Sequence, residues 1–363
     1  MTSSQSRGEQ AVDDWQTRRT PYEKWVHRQG VPVIEGYGVA DPFEQEFGHW
    51  DRIGADAYFV VMKGMEGITG QYAVRLPAGH STKWENHLYE KVVYVYSGRG
   101  ATSVEDATGK QQHFEWKEGS VFAIPLNTRH SITAVEPCEY VAWTTAPMVF
   151  DLFYDEDFVY GNPYAFRDRF DGQDDYFSKE IREDRYWETN FIADIRMARI
   201  DPAEWRGAGT NLSMFEIANN SLICHLAHWP AGRYMLAHYH GGGAILQIVQ
   251  GEGFSLMWSN EYGERPFENG HGDKVVRIDW KVGSSFSPPT NWYHQHFNTS
   301  PNAALQLALR NGSMKNPLGI RHAHAAAFTS TIPLEREDPA IRQMYEEDVA
   351  RKGVASTMPG VGV

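Results

Sequence analysis

Residues 230–253 read PAGRYMLAHYHGGGAILQIVQGEG, and residues 77–100 read PAGHSTKWENHLYEKVVYVYSGRG. The two stretches align without a gap at a constant offset of 153. Pro77-Ala78-Gly79 falls on Pro230-Ala231-Gly232, Glu85 on His238, His87 on His240, Lys91 on Ala244, Gly98 on Gly251 and Gly100 on Gly253. A second block repeats further on. Gly119, Pro125, Asn127 and His130 fall on Gly283, Pro289, Asn291 and His294 at an offset of 164. The second copy therefore carries 11 additional residues, within Glu261–Asp273. An internal duplication of this size describes two homologous domains, not a solenoid of short repeats.

Short apolar, β-branched runs fill the space between these landmarks: Tyr72–Leu76, Val92–Tyr96 and Val121–Ile124 in the first copy, Ile245–Val249 and Ala303–Leu309 in the second. Gly, Pro, Asn and Asp punctuate them, which is the pattern of an all-β protein. The expected organisation is a disordered N-terminus (1–20), an N-terminal extension (21–66), a first barrel (67–147), a surface-packed linker (148–211), a second barrel (212–312) and a C-terminal extension (313–363). Helices are expected at Tyr22–Gln29, near Pro202–Trp205, and from Asp338-Pro339 to about Lys352, where Asp at the N-cap and Pro in the first turn mark a start. A strand is expected at Val31–Ile34, and the chain from Gly353 onward reads as a frayed tail.

The 363 residues suffice for two full cores. The formal net charge of −13 argues against nucleic acid or an anionic membrane as partner, since both require a basic face. No window approaches the roughly 20 apolar residues of a membrane span. Met1–Gly8 is polar, without the apolar core of a secretory signal. The two cysteines, Cys138 and Cys224, are too few for a disulfide framework and read as buried thiols in a reducing cytoplasm.

The second copy carries Gly232-x5-His238-x-His240-x3-Ala244-x6-Gly251, then Gly283-x5-Pro289-x-Asn291-x2-His294-x3-Asn298. This resembles the two conserved motifs of the cupin superfamily, G-x5-H-x-H-x3/4-E-x6-G and G-x5-P-x-G-x2-H-x3-N, in order and twice in one chain. The resemblance covers about half of the chain. It implies a bicupin: two tandem antiparallel jelly-roll barrels, all-β, each able to hold one metal. Residues two apart share one face of a strand, so His238 and His240 point together into the barrel, and His294 joins them from a distant strand. Three imidazoles on one side of an ion leave the other side open.

The family glutamate is Ala244 here. A three-histidine site without the carboxylate resembles the Fe(II) dioxygenases of the superfamily, gentisate and salicylate dioxygenases among them. Oxalate decarboxylases and similar manganese cupins usually keep the glutamate. Fe(II) is the metal this resemblance implies first, with Mn(II), Zn(II), Ni(II) or Cu(II) as alternatives. The expected partners are a small-molecule substrate, dioxygen and further copies of the chain in a homo-oligomer. Three classes of function follow: a dioxygenase cleaving a C–C bond in a small oxygenated or aromatic acid; a metal-dependent lyase, decarboxylase or isomerase that uses no dioxygen; and a binding or storage bicupin, which three retained histidines argue against.

The first copy departs further. Glu85, His87 and His130 compose a two-histidine, one-carboxylate set that also suits a divalent metal. Lys91, however, stands where the family has a ligand glutamate, and its ammonium repels an ion and neutralises Glu85. A metal-free first barrel is the expectation. Further residues of the second copy join the ligands as candidates. His296 shares the inward face with His294, and its counterpart in the first copy is Ile132. It reads as a proton-transfer or substrate-bonding group, or as a hydrogen-bond support for His294. Trp258, Gln306 and Arg310, with Ala244, are the candidate substrate contacts. Arg310 reads equally as a bidentate partner for a substrate carboxylate or as a surface ion pair. Asn298 is a weaker candidate, and His322-Ala323-His324 has ligand spacing but lies outside the barrel pattern.

Overall fold

The computed structural model of the protein describes residues 18–183, 186–202, 209–241, 243–313, 315 and 330–359. The strands in chain order are β1 (Val33–Gly36), β2 (Gly38–Val39), β3 (Gly48–Trp50), β4 (Ala55–Met62), β5 (Gly70–Leu76), β6 (Lys91–Ser97), β7 (Arg99–Glu105), β8 (Gln111–Lys117), β9 (Val121–Ile124), β10 (Arg129–Ala134) and β11 (Cys138–Thr144). After two short helices, Ala146–Phe153 and Glu156–Gly161, follow β12 (Glu180–Glu183), β13 (Tyr186–Thr189), β14 (Phe191–Ile192), β15 (Asp201–Pro202), β16 (Asn211–Ile217), β17 (Leu222–Trp229), β18 (Ile245–Gln250), β19 (Gly253–Ser259), β20 (Val276–Trp280), β21 (Ser285–Phe286), β22 (Trp292–Asn298) and β23 (Ala304–Asn311).

Each copy folds into a large sheet and a three-stranded sheet that face one another. In the first, β1-β4-β5-β11-β6-β9-β14 opposes β10-β7-β8; in the second, β12-β13-β16-β17-β23-β18-β21-β2 opposes β20-β19-β22. The pairing repeats as the sequence does: β5 and β6 flank β11 antiparallel, and β17 and β18 flank β23 in the same way. The architecture is all-β, two tandem jelly rolls.

The barrels exchange strands with the segments around them. β4 lies in the expected N-terminal extension, yet pairs with β5 over Asp56–Val60, so the first barrel begins well before Gly67. β2 crosses to the second barrel and pairs with β21. The segment expected to be a surface linker supplies β14 to β9 of the first barrel and β13, parallel, to β16 of the second. β14 is an edge strand and β13 joins with β12 outside it; such short additions carry little periodic signal. Buried polar contacts tie the barrels across the joint. Tyr96 donates to Gln247 Oε1 (3.1 Å), Gln71 to Ser285 Oγ (2.9 Å) and Asn311 to Thr69 Oγ1 (2.8 Å).

The helix Pro21–Arg28 starts at Thr20, whose hydroxyl accepts from Glu23 N while the Glu23 carboxylate accepts from Thr20 N. This reciprocal cap satisfies two amides that the first turn leaves unpaired. The helix Pro339–Arg351 is capped by Asp338, which also accepts from Phe267 and Glu268 N. It thereby clamps the segment that carries the 11-residue insertion. The expected fray after Gly353 is instead held: Thr357 N donates to Gly232 O (2.9 Å), and Met358 is buried against Tyr234. Cys138 and Cys224 are free and buried, and burial pushes both thiols up to about 12. No helix among the described residues is long and apolar enough to cross a membrane. The N-terminal 17 residues, most of the expected helix near Trp205, Gly242 and His322–His324 lie outside the described residues.

Candidate metal centre

His238 and His294 meet as a bridge between the segment after β17 and β22. His238 N donates to His294 O (3.2 Å) and His294 N to His238 O (2.9 Å). His240 is held by Asn291 N, which donates to its carbonyl (3.1 Å). Asn291 sits at φ 62° and its first-copy counterpart Asn127 at φ 53°. The family motif has glycine here because the turn requires a left-handed residue, and Asn is the side chain that tolerates it best.

The three rings converge, with centroids 4.4 Å (His238–His294), 5.0 Å (His240–His294) and 5.8 Å (His238–His240) apart. One ring nitrogen from each lies within 4.8 Å of the others. The Nδ1 atoms face backbone carbonyls: His238 to Leu236 O (3.1 Å), His240 to Gly241 O (3.2 Å) and His294 to Trp292 O (3.0 Å). A carbonyl only accepts, so each Nδ1 carries the proton and each Nε2 the lone pair. This donor set fits a divalent transition ion, and it is oriented as metal-binding imidazoles require.

The histidines line a cavity of about 30 Å³ between the two sheets. Ala244, Gln306, Arg310 and His296 also line it, and all four are buried. Arg310, on β23, is in the cavity wall and not at the surface; it donates to Met214 Sδ (3.6 Å). Ala244 contributes only a methyl group where the family places a carboxylate.

His296 is set differently from the ligands. Its Nδ1 lies 2.8 Å from Ser255 Oγ, which accepts from Trp280 Nε1 (3.0 Å). A hydroxyl both donates and accepts, so this contact allows the His296 proton on either ring nitrogen, unlike the three ligands, whose Nδ1 atoms face carbonyls. His294 takes its Nδ1 support from Trp292 O.

Trp258 is outside the cavity. It pairs across the sheet with Tyr293, stacks on it at 5.4 Å, and donates to Gly263 O (2.9 Å). Strand alternation explains this: His294 and His296 face inward, so Tyr293 and its partner Trp258 face outward. Asn298 is a turn residue, donating to Pro230 O and Asn302 O. Sequence reasoning missed His225 on β17 and Thr210, which line the same cavity. The offset of 153 places His225 on Tyr72, a His-for-Tyr difference that was available as a signal.

In the first barrel Glu85 and His130 form the same bridge, and Asn127 N donates to His87 O (3.1 Å). Here Lys91 Nζ donates to Glu85 Oε1 (3.1 Å) and to His130 Nε2 (3.2 Å), with Lys91 and His130 buried and the Glu85 side chain nearly so. Burial pushes the Glu85 carboxyl up, but the Lys91 ammonium and then His130 outweigh it and hold Glu85 well below the usual carboxylate range. Burial, only partly opposed by Glu85, lowers His87; burial and Lys91 together lower His130.

No protein-family model matches the chain, and no curated protein matches it. Solved structures do. A single-site tryptophan variant of oxalate decarboxylase from Bacillus subtilis superposes with a TM-score of 0.50 at 12% identity, over 77% of this chain and 78% of that one. The structure of the same decarboxylase at pH 4.6 gives 0.50 at 12% identity over 77% and 76%. A third structure of it, concerned with its Mn(II) centres, gives 0.50 at 13% identity over 77% and 78%. At this identity the likeness concerns the fold alone, two tandem jelly rolls.

Proposed function

We propose that the chain is a metal-dependent enzyme that cleaves a C–C bond in a compact carboxylic acid, with the reaction confined to the second barrel. The observation that carries this is the convergence of three correctly protonated imidazoles on one cavity that also contains a buried arginine. His238, His240 and His294 would hold the ion, which when bound supplies Lewis acidity toward a carboxylate or carbonyl oxygen. Arg310 orients the substrate carboxylate through its planar fork. Gln306 and Thr210 supply neutral hydrogen bonds, and Ala244 leaves room beside the ligands. His296, in the cavity wall and bonded to Ser255, hydrogen-bonds the reacting substrate and exchanges a proton with it.

The cavity beside the ligands is lined by Arg310, Gln306 and His296, which suits a substrate that bears a carboxylate. The structural neighbours are decarboxylases, one of them studied for its Mn(II) centres. They favour a lyase that uses no dioxygen, and Mn(II) as the first metal to test. The missing carboxylate at Ala244 is the specific observation in favour of the second reading, an Fe(II) dioxygenase. Protein reconstituted anaerobically with Mn(II) or Fe(II), given oxalate and other short oxo- and hydroxy-acids, separates the two. Carbon dioxide release without oxygen uptake supports the lyase; stoichiometric oxygen uptake with iron supports the dioxygenase. Absence of turnover with any short acid and either metal would overturn both. The buried free thiols accord with a cytoplasmic protein, and homo-oligomerisation is part of the same reading.

A further inference from the structure

The first barrel contains a ligand set of its own. Glu85, His87 and His130 each place one ligand atom within 4.8 Å of the others. Their scaffold is that of the second barrel, bridge for bridge. The ring protons are set in the same way, with His87 Nδ1 at 2.8 Å from Tyr89 O and His130 Nδ1 at 2.9 Å from Thr128 O. Both Nε2 lone pairs therefore point at the shared space, as metal-ligating imidazoles require. The Lys91 ammonium sits against this set, 3.1 Å from Glu85 Oε1 and 3.2 Å from His130 Nε2.

We propose that the Lys91 ammonium is a built-in substitute for a divalent cation, and that it masks a latent two-histidine, one-carboxylate metal site in the first barrel. Two buried atoms support this independently of the lysine contacts. Glu85 Oε2 and His87 Nε2 meet no hydrogen-bond partner among the described residues. Buried acceptors in native proteins are nearly always paired. An ammonium has three protons in a fixed tetrahedral array, whereas a divalent ion draws four or more ligand atoms inward, these two included. Lys91 itself is 2% exposed and starts β6, between β11 and β9. Its backbone is held on both sides by the sheet, and an ion beside its ammonium would meet like charge. The duplication supplies the contrast, since the same position in the second barrel is Ala244.

The test uses full-length protein in which His238→Ala and His294→Ala remove the second barrel's ligands, so the count does not depend on the proposed function. After chelation and reloading with Zn(II), elemental analysis of this background should find no zinc. Adding Lys91→Met should bring one zinc per chain and raise the melting temperature in the presence of Zn(II). Adding His130→Ala as well should abolish both effects. Zinc bound in the first barrel while Lys91 is in place would overturn the proposal. So would a Lys91→Met protein that gains none, or one that fails to fold even with Zn(II) present, because a true substitute must be replaceable by the ion.

Discussion

The two barrels share a tryptophan hydrogen bond and diverge one residue beyond it. In the first, Trp116 Nε1 donates to Thr102 Oγ1 (3.0 Å); in the second, Trp280 Nε1 donates to Ser255 Oγ (3.0 Å). Each tryptophan lies over a glycine, Gly100 or Gly253, where a Cβ would clash with its ring at 2.5 or 2.7 Å. From there the first barrel ends at Ile132, and the second passes the bond on to His296. The same substitution of wet for dry recurs around the interior. Cys138 pairs with Leu76 as Ala304 pairs with Trp229, which places Tyr140 opposite Gln306 in the comparison, as the offset of 153 places Tyr72 opposite His225. Tyr72 and Tyr140 are buried. One copy has been filled with aromatic rings and an internal ion pair; the other has kept a cavity lined by hydrogen-bonding groups. The scaffold needed by a metal site is thus retained in both, and the side chains at a handful of positions decide whether there is chemistry.

The largest effect should come from the ligands that distinguish the copies. His238→Ala, His240→Ala or His294→Ala should reduce bound metal to background and abolish turnover, because two imidazoles hold a divalent ion far more weakly than three. Glu85→Ala should leave metal content unchanged. Elemental analysis of the four variants decides this, and loss of metal in Glu85→Ala would contradict the division of labour between the barrels.

Next comes His296. His296→Gln should keep its metal but lose turnover by about 10²-fold, the usual contribution of a positioned proton donor. If the residue only supported a ligand, metal affinity would instead fall by about 10- to 100-fold. The bond from His294 Nδ1 to Trp292 O argues for the first outcome. Metal titration and turnover measured on the same preparation separate them.

Restoring the family carboxylate should have a smaller effect. Ala244→Glu should keep the metal and lower turnover by roughly tenfold or more, a change of about 1.4 kcal/mol in barrier. The new carboxylate would occupy the space assigned to substrate. The first barrel already accommodates a long side chain, Lys91, at this position, so folding should survive. Full activity in Ala244→Glu would mean that substrate enters elsewhere.

Much of this arrangement was legible in the sequence. The duplication placed every candidate ligand, and strand alternation put His238 with His240 and His294 with His296. The same alternation, applied to β19, would have excluded Trp258, whose partner Tyr293 faces away from the cavity. Edge strands were illegible for a physical reason. β2 and β14 are two residues each, too short for a period, and their pairing is decided by partners far away along the chain. The contact of His296 with Ser255 was equally hidden, because the register of β22 on β19 decides it. The contact between Glu85 and Lys91 was readable as a charge pair, but its burial was not.

That burial makes the first barrel sensitive to acid, the last and mildest of the expected effects. His87 and His130 have folded-state affinities for protons below that of a free imidazole, chiefly because both are buried. Between their unfolded value near 6.5 and the lower folded values, the unfolded chain binds more protons, so stability rises with pH and is lost as pH falls. Glu85, held low by Lys91, adds the same sign below about 4.5. In the second barrel the C-terminal clamp behaves in reverse. Burial raises Glu337, only partly offset by the Tyr234 and Gln295 hydrogen bonds, so its contribution is full below about 4.5 and is lost as pH rises through the folded value. Hydrogen exchange followed strand by strand from pH 7 to pH 5 should show β5, β6 and β10 losing protection by up to about 1.4 kcal/mol per pH unit for each depressed histidine. The contacts of Glu337 should hold or gain over the same range. His87→Gln should flatten the slope in the first barrel alone. A slope unchanged by His87→Gln would mean that the buried cluster around Lys91 does not set the acid response of the first barrel.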